Sequence, residues 1–528
     1  MQFNKTGFKK ENTMRNVLLL AVVGTLGFLV ACGGGGTPVG VPVSITLTAS
    51  SSAVNAGGTV NIALSADSSG KGVTWTLANG GTGKLTAVTK TSVTYSAPPT
   101  VTSTFTATVT ATSIASSSVT AAAQIIVLPA GVANNVMPIT VDSAFTNYAN
   151  GAFADVTICV PASATCQTID HVLVDTGSFG LRLLASQVTI PLPVLADNSG
   201  NTLNNCIQFL DNTFLWGNVA QADIYLAGEL ASATSVQVIA NPTAYSIPSG
   251  CTGTNNDTQQ TLNANGILGV GPEPFDCGTQ CDPNGGLVTP PQVYYLCSTA
   301  TGCLETFVSC GAVCGDTQAN SQITNPVFNF PADNNGVIFE LPPVSGTAAT
   351  ITGNLVFGIG TQSNNGLGTA TVFTIVSPFD NFTTNFSGQV LNASFIDSGS
   401  NALFFPNGIE SGFPNGTIPT GSSCQDPFFY CPAASTNFSA TNLGTTGPVS
   451  APVNFTVDNA DTLFTQDPGN AVFVNLAGPL GFGACSGTNT TACSFDWGLP
   501  FFYGRHVFTA INAVTPPAGV PPGPFWAY

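Results

Sequence analysis

The residues of this chain best suited to chemistry are two aspartates, each closing an apolar run and followed by hydroxyl and glycine residues. The first lies in His171-Val172-Leu173-Val174-Asp175-Thr176-Gly177-Ser178. The second lies in Ala393-Ser394-Phe395-Ile396-Asp397-Ser398-Gly399-Ser400. β-Favouring side chains ahead of each Asp predict a strand, and the Thr/Ser-Gly-Ser that follows predicts a sharp turn. Two carboxyls brought within about 3 Å of one another cannot both ionise, so such a pair shares a proton. The ionised member can take a proton from water while the protonated member stabilises an oxygen of the group under attack. That chemistry needs neither metal nor cofactor. One Asp-Thr-Gly is a weak signal, because Asp and Gly are common in any turn. Two copies after apolar runs carry much more, and the plain alternative is a pair of ordinary β-turns.

The elements that must hold these residues are strands. Gly (57) and Pro (36) are abundant and charged residues make up only 7%, a mix that favours strands and turns over helices. With 43% hydrophobic residues and 35 Phe, the chain can bury a sizeable core and is not disordered. At 528 residues two or three domains are expected. The fold class expected is mostly β.

Charge is unevenly spread. Of the 26 acidic residues only Glu11 and Asp67 precede position 136, leaving 24 beyond it against Arg182 and Arg505. Such an excess repels nucleic acid and anionic membrane surfaces, so neither is expected as a ligand. It suits a secreted protein kept soluble by acidity, or a surface that loses self-repulsion in acid.

Of 15 cysteines, 14 lie at or after Cys159. With only His171 and His506 in the chain, zinc sites would be nearly all-thiolate, and disulfides in an oxidising compartment are the better use. No metal site is expected. Spacing leaves the connectivity open. Near neighbours are the expected pairs (159/166, 277/281, 297/303, 310/314, 424/431 and 485/493), with Cys206 joined to Cys251.

Lys5, Lys9, Lys10 and Arg15 precede the apolar run Val17 to Val30, which is too short for a stable membrane span. The run ends in Leu29-Val30-Ala31-Cys32 and resembles the lipobox of bacterial lipoproteins. The resemblance implies a signal peptide over 1–31 and a lipid on Cys32, with a Gly-rich tether over 32–40. Gly33 in place of Asp implies the outer membrane, facing periplasm or cell surface, with the membrane touched only through the anchor.

Residues 41–129 carry period-2 alternation in short runs between Gly/Ser/Asn/Pro turns, from Val43-Ser44-Ile45-Thr46-Leu47 to Gln124-Ile125-Ile126-Val127-Leu128. That argues for a β-sandwich with Trp75 in its core. It resembles bacterial immunoglobulin-like domains and holds no ionisable cluster, so a spacer or adhesive module is expected there.

Other markers order the region 136–528. Ile267-Leu268-Gly269 follows the first Asp, and Phe495-Asp496-Trp497-Gly498 follows the second. This order resembles pepsin-like aspartic peptidases, in which two β lobes carry one catalytic Asp each and an apolar-apolar-Gly strand crosses behind each Asp loop. Asp496 departs from that pattern by standing where an apolar residue belongs. The resemblance implies a two-lobed β domain over 136–528 with its lobe boundary at about 320–350 and inserted disulfide-rich loops. It implies Asp175 and Asp397 as the dyad, acting on polypeptide. Thr176 and Ser398 would lock the loops together, and Gly177 and Gly399 would permit close approach. Ser178 and Ser400 would hydrogen-bond the carboxylates. The flap that covers substrate in the family falls near Phe209 to Trp216. Arg182 stands where the family usually has an aromatic, with Asp211 as its expected partner. The functions to be weighed are a lipid-anchored aspartic endopeptidase and a non-catalytic surface binding or adhesion lipoprotein with the same fold.

Overall fold

The computed structural model describes residues 43–528 apart from 51–52, 79–82, 102–104, 129–134, 146, 164, 240–244, 376–379, 407–417, 419–422, 446–448 and 481–493. Cys32, the lipobox, the tether and the pair Cys485/Cys493 lie outside the described residues. Strands dominate, as the composition leads one to expect.

The first strands form two four-stranded sheets. One orders Ile45–Ala49, Thr59–Asp67, Ser92–Ser96 and Lys84–Thr86; the other orders Ala53–Asn55, Thr120–Leu128, Phe105–Ser113 and Val73–Leu77. Alternating side chains from both meet in one core of Val60, Ile62, Val93, Tyr95, Val109, Ile125 and Val127, since successive residues of a strand face opposite ways. Trp75 lies at the edge of this core, partly buried, its indole N–H donating to the Thr89 carbonyl at 2.9 Å.

From Val136 onward the main feature is a 16-stranded sheet. Val136–Asp142 is its seam. One edge pairs antiparallel with Gly151–Cys159 and the other with Ile351–Phe357. Ile351–Phe357 pairs in turn with Gly336–Glu340, and that strand with His506–Ala510. A second, seven-stranded sheet holds Gln389–Ile396, Leu403–Phe405, Ala477–Pro479 and Asp496–Trp497. One apolar core runs between the sheets and includes Val172, Val174, Leu268, Phe339, Ile396, Phe405 and Trp497. Its second half is rich in stacked and edge-on rings, with Phe495 and Trp497 centroids 3.9 Å apart.

Six disulfides staple loops and hairpins: 159–166, 206–251, 277–281, 297–303, 310–314 and 424–431. Each is one of the pairs expected from near-neighbour spacing and the Cys206/Cys251 assignment.

Candidate functional site: paired aspartates at the junction of two repeated strand sets

Each Asp is delivered by the same set of strands. In the first, Cys166–Asp175 runs parallel to Gly266–Val270, with Val174 opposite Leu268 and Asp175 opposite Gly269. The strand after the Asp turn, Phe179–Leu184, folds back antiparallel, placing Leu181 opposite Leu268. It then runs parallel to Glu229–Ile239. In the second, Gln389–Ile396 lies parallel to Asp496–Trp497 with Ile396 opposite Trp497. Leu403–Phe405 returns antiparallel, placing Leu403 opposite Trp497, and runs parallel to Ala477–Pro479. By register, Trp497 corresponds to Leu268 and Asp496 to Ile267.

The glycine closing each crossing strand has a steric reason. A Cβ on Gly269 would lie 2.6 Å from the Phe179 backbone nitrogen, and one on Gly498 would lie 2.1 Å from the Ala402 carbonyl oxygen. The chain leaving each Asp turn passes over its crossing strand too closely for any side chain.

The two turns grip each other reciprocally. The Thr176 amide donates to Ser398 Oγ at 3.0 Å, and the Ser398 amide donates to Thr176 Oγ1 at 2.9 Å. Each hydroxyl then donates across to a carbonyl, Thr176 to Ile396 at 3.2 Å and Ser398 to Val174 at 2.7 Å. All four groups are buried, so each would be costly to leave unpaired.

This grip brings the carboxyls together. Asp175 and Asp397 are both fully buried and hydrogen-bond to one another. Asp175 Oδ1 accepts from the Gly177 amide at 2.8 Å, and its Oδ2 accepts from Ser178 Oγ at 2.5 Å. Asp397 Oδ1 accepts from the Gly399 and Ser400 amides at 2.7 and 3.2 Å, and its Oδ2 accepts from Ser400 Oγ at 3.0 Å. A Cβ on Gly399 would lie 2.6 Å from Asp175 Oδ1, so only glycine lets the second turn approach the first carboxylate.

The electrostatics are asymmetric. Burial, reinforced by the negative charge of Asp397, pushes Asp175 up to about 7. At Asp397 burial acts in the same sense, while hydrogen bonds from Asp175 and Ser400 act against it. Asp397 accepts two backbone amides to the one on Asp175, which favours the charge on Asp397 and the shared proton on Asp175, while titration belongs to the pair as a unit.

Arg182 is buried, and its partner is Asp276 rather than Asp211. Its Nη2 lies 3.0 Å from Asp276 Oδ2, while its Nη1 donates to Asn205 at 2.8 Å and Gln237 at 2.6 Å. Tyr294 and Asn205 complete the Asp276 shell. Asp211 instead closes its own turn, accepting from the amide and hydroxyl of Thr213. The guanidinium is thus neutralised by a carboxylate other than the dyad.

Phe209 and Trp216 do not form an exposed flap. Thr202–Gln208 and Thr213–Leu226 do form a hairpin. However, Phe209 is buried among Leu173, Leu184, Leu215 and Ile267, and Trp216 is edge-on to Tyr295 beside Cys206 and Cys251. Their large apolar surfaces are used in packing rather than in covering a ligand.

A different ring, which the sequence did not single out, lies near the carboxyls. Tyr148 packs partly buried against the Phe209 cluster. Burial, together with the charges of Asp397, Asp211 and Asp175, raises its hydroxyl above the ordinary range. Its loop is tied to the second Asp turn by Asn150. That side chain donates to the Asn401 and Phe473 carbonyls at 2.8 and 2.9 Å, and accepts from Tyr503 at 2.7 Å. The only local signal was a Tyr three residues before the glycine that opens a strand.

For metals, two clusters among the described residues bring cysteines and a carboxylate within reach of one ion: Asp282 with Cys310 and Cys314, and Asp461 with Cys424 and Cys431. Both cysteine pairs are disulfides, which leaves a single ionisable ligand in each.

Comparison with known proteins adds a family. No curated protein matches the chain. Among solved structures, a DUF4784 family protein from Bacteroides caccae aligns at 7% identity and a TM-score of 0.12 over 39% of this chain. The chain spans 58% of that protein's length. A family model described as protein of unknown function (DUF3443) matches residues 131–528, the region that holds both Asp turns, and the chain therefore belongs to that family.

Proposed function

We propose that this chain is a lipid-anchored, extracytoplasmic aspartic endopeptidase that hydrolyses peptide bonds through Asp175 and Asp397. The observation that carries the reading is the reciprocal grip of the two turns around one hydrogen-bonded pair of buried carboxyls. In this reading residues 136–528 are a two-lobed pepsin-like domain, supported by the repeated strand set around each Asp. The sandwich before it is an immunoglobulin-like spacer. The anchor is a lipid on Cys32 that holds the protein at the bacterial outer membrane, and no metal or cofactor takes part.

The chemistry follows from the asymmetry of the pair. Asp397, ionised and supplied with hydrogen bonds from Gly399 and Ser400, takes a proton from a water that attacks the scissile carbonyl. Asp175, protonated, donates to the carbonyl oxygen as it gains charge. When the amide nitrogen leaves, the proton gained by Asp397 passes to it, a hydroxyl of the tetrahedral intermediate returns its proton to Asp175 as the carbonyl re-forms, and the pair is back to a single shared proton.

The test is cleavage of a peptide library by the oxidised chain from residue 33 onward between about pH 3 and 7, the range over which carboxyls of this kind titrate. Asp175→Asn, Asp397→Asn and a statine-type transition-state mimic are run alongside. Loss of cleavage with either variant and with the mimic is expected. Cleavage indifferent to all three would sink the dyad. Binding of peptides without any cleavage would favour the second function weighed above, a surface binding or adhesion lipoprotein.

A further inference from the structure

We infer that Asp496 is a protonated carboxylic acid that acts on the dyad through Ser400, so that the working site holds two protons among three carboxyls. The inference on catalysis rests on the peptidase reading; the proton count does not.

The argument is an inventory of hydrogens. Ser400 Oγ lies 3.0 Å from Asp397 Oδ2 and 2.7 Å from Asp496 Oδ2. A serine hydroxyl has one hydrogen to donate, so it can serve one of these oxygens only. Were both carboxyls ionised, the other contact would set two lone pairs face to face in a buried site, where an unmet contact is costly. One of the two carboxyls must therefore carry a proton toward Ser400. Of the two, Asp397 is the better-supplied anion, with the Gly399 and Ser400 backbone amides both on its Oδ1. Asp496 is placed to carry it. It is 5% exposed, Ser400 is the partner of its Oδ2, and its Oδ1 has no partner among the described residues.

The resulting chain runs from the Asp496 hydroxyl to Ser400 Oγ, and from the Ser400 hydroxyl to Asp397 Oδ2. Among the described residues, the titratable groups facing Asp496 are Asp397, from the parallel strand, and Asp175, from the opposite turn. The strand on its other side offers Phe404. Burial and the Asp397 charge both raise Asp496, in keeping with the count. In the first half the apolar Ile267 holds the corresponding register, and Ser178 donates to Asp175. Asp496 thus breaks the likeness of the two halves on the side of the base. While it keeps its proton, the Ser400 hydrogen is committed to Asp397. Once it ionises, that hydrogen is drawn to Asp496, and Asp397 loses a donor as it gains a negative neighbour.

The experiment compares the full oxidised chain with Asp496→Asn, whose amide N–H still donates to Ser400, and with Asp496→Leu. Urea unfolding is followed as a function of pH near about pH 6, above the carboxylate range of an unfolded chain. The slope gives the protons that the native state holds in excess of the unfolded chain. Both variants should hold one fewer than the wild type, and equal counts would overturn the assignment. Should Asp496→Asn fail to fold, Asp496→Leu supplies the same comparison. On a cleaved peptide, the alkaline limb of kcat/KM should fall with two protons in the wild type and with one in Asp496→Asn. A one-proton limb in both would overturn the coupling. A one-proton difference in unfolding without any cleavage by the wild type would sink the peptidase reading and leave Asp496 as assigned.

Discussion

At the scale of the residue, the carboxyl pair and the groups that seat it make separable demands. Under the proposed mechanism, replacing Asp397 by Asn removes the base and should lower kcat/KM by about 10²- to 10⁴-fold, the usual worth of general acid–base catalysis. The protein should still unfold cooperatively, which circular dichroism against urea would check. Arg182 makes a different demand. Arg182→Met would strand Asp276 in the core without its cation, and breaking a buried pair from one side costs about 3–5 kcal/mol. A fall of that size in the urea-derived stability is expected, and a loss below about 1 kcal/mol, typical of exposed pairs, would show that Tyr294 and Asn205 suffice for Asp276. Glu229 gives a pH signature remote from the dyad. Burial and then Asp333 raise it to about 8, so the native state binds a proton that the unfolded chain has released. Stability is then greatest at pH below the ordinary Glu value and declines as pH rises toward about 8. Glu229→Gln should flatten that decline, and an unchanged slope would show that the proton is held elsewhere.

At the scale of the element, legibility follows the range of the interaction. The Asp turns could be read because each is a local pattern, an apolar run followed by a hydroxyl and a glycine, and because the pattern occurs twice. The crossing strand Ile267-Leu268-Gly269 was legible for the same reason. The near-neighbour disulfides were legible because bridging a few residues needs only a turn. Asp276 was not legible as the partner of Arg182, since 94 residues separate them and only the register of the finished sheet unites them. Tyr148 was missed because its importance lies in where Asn150 moors its loop, to a carbonyl 251 residues away. Phe209 and Trp216 were placed on the right hairpin but given the wrong face, because an aromatic side chain does not declare whether it will pack or project. The disulfides allow a prediction at this scale. Cys206–Cys251 closes a loop of 45 residues and Cys159–Cys166 one of 7. Chain-entropy loss in the unfolded state scales with the logarithm of loop length, giving about 4 against about 2 kcal/mol. Cys206→Ser with Cys251→Ser should therefore lower the urea midpoint more than the corresponding pair of changes at 159 and 166. The reverse order would show that native packing, not loop closure, sets the cost.

At the scale of the whole molecule, charge and topology dominate. A formal net charge of −17, made up of −22 beyond residue 135 and +5 before it, should make the native state self-repelling at neutral pH. Added salt should then raise the melting temperature at pH 7 and have little effect near pH 4, where the carboxylates are half neutralised. Differential scanning calorimetry at two ionic strengths would check this, and a salt effect equal at both pH values would count against it. Topology has a consequence for how the protein comes into being. Val136–Asp142 is made early, yet one of its edges waits for Ile351–Phe357, more than 200 residues further along the chain. Until that partner emerges the seam strand presents six residues of unpaired backbone, an invitation to aggregation. Either half expressed alone would keep such an edge permanently. Because the chain is made from its N-terminal end, it meets this hazard each time it is synthesised, and a factor that shields extended β-strand edges until Ile351–Phe357 has emerged should raise the folded yield.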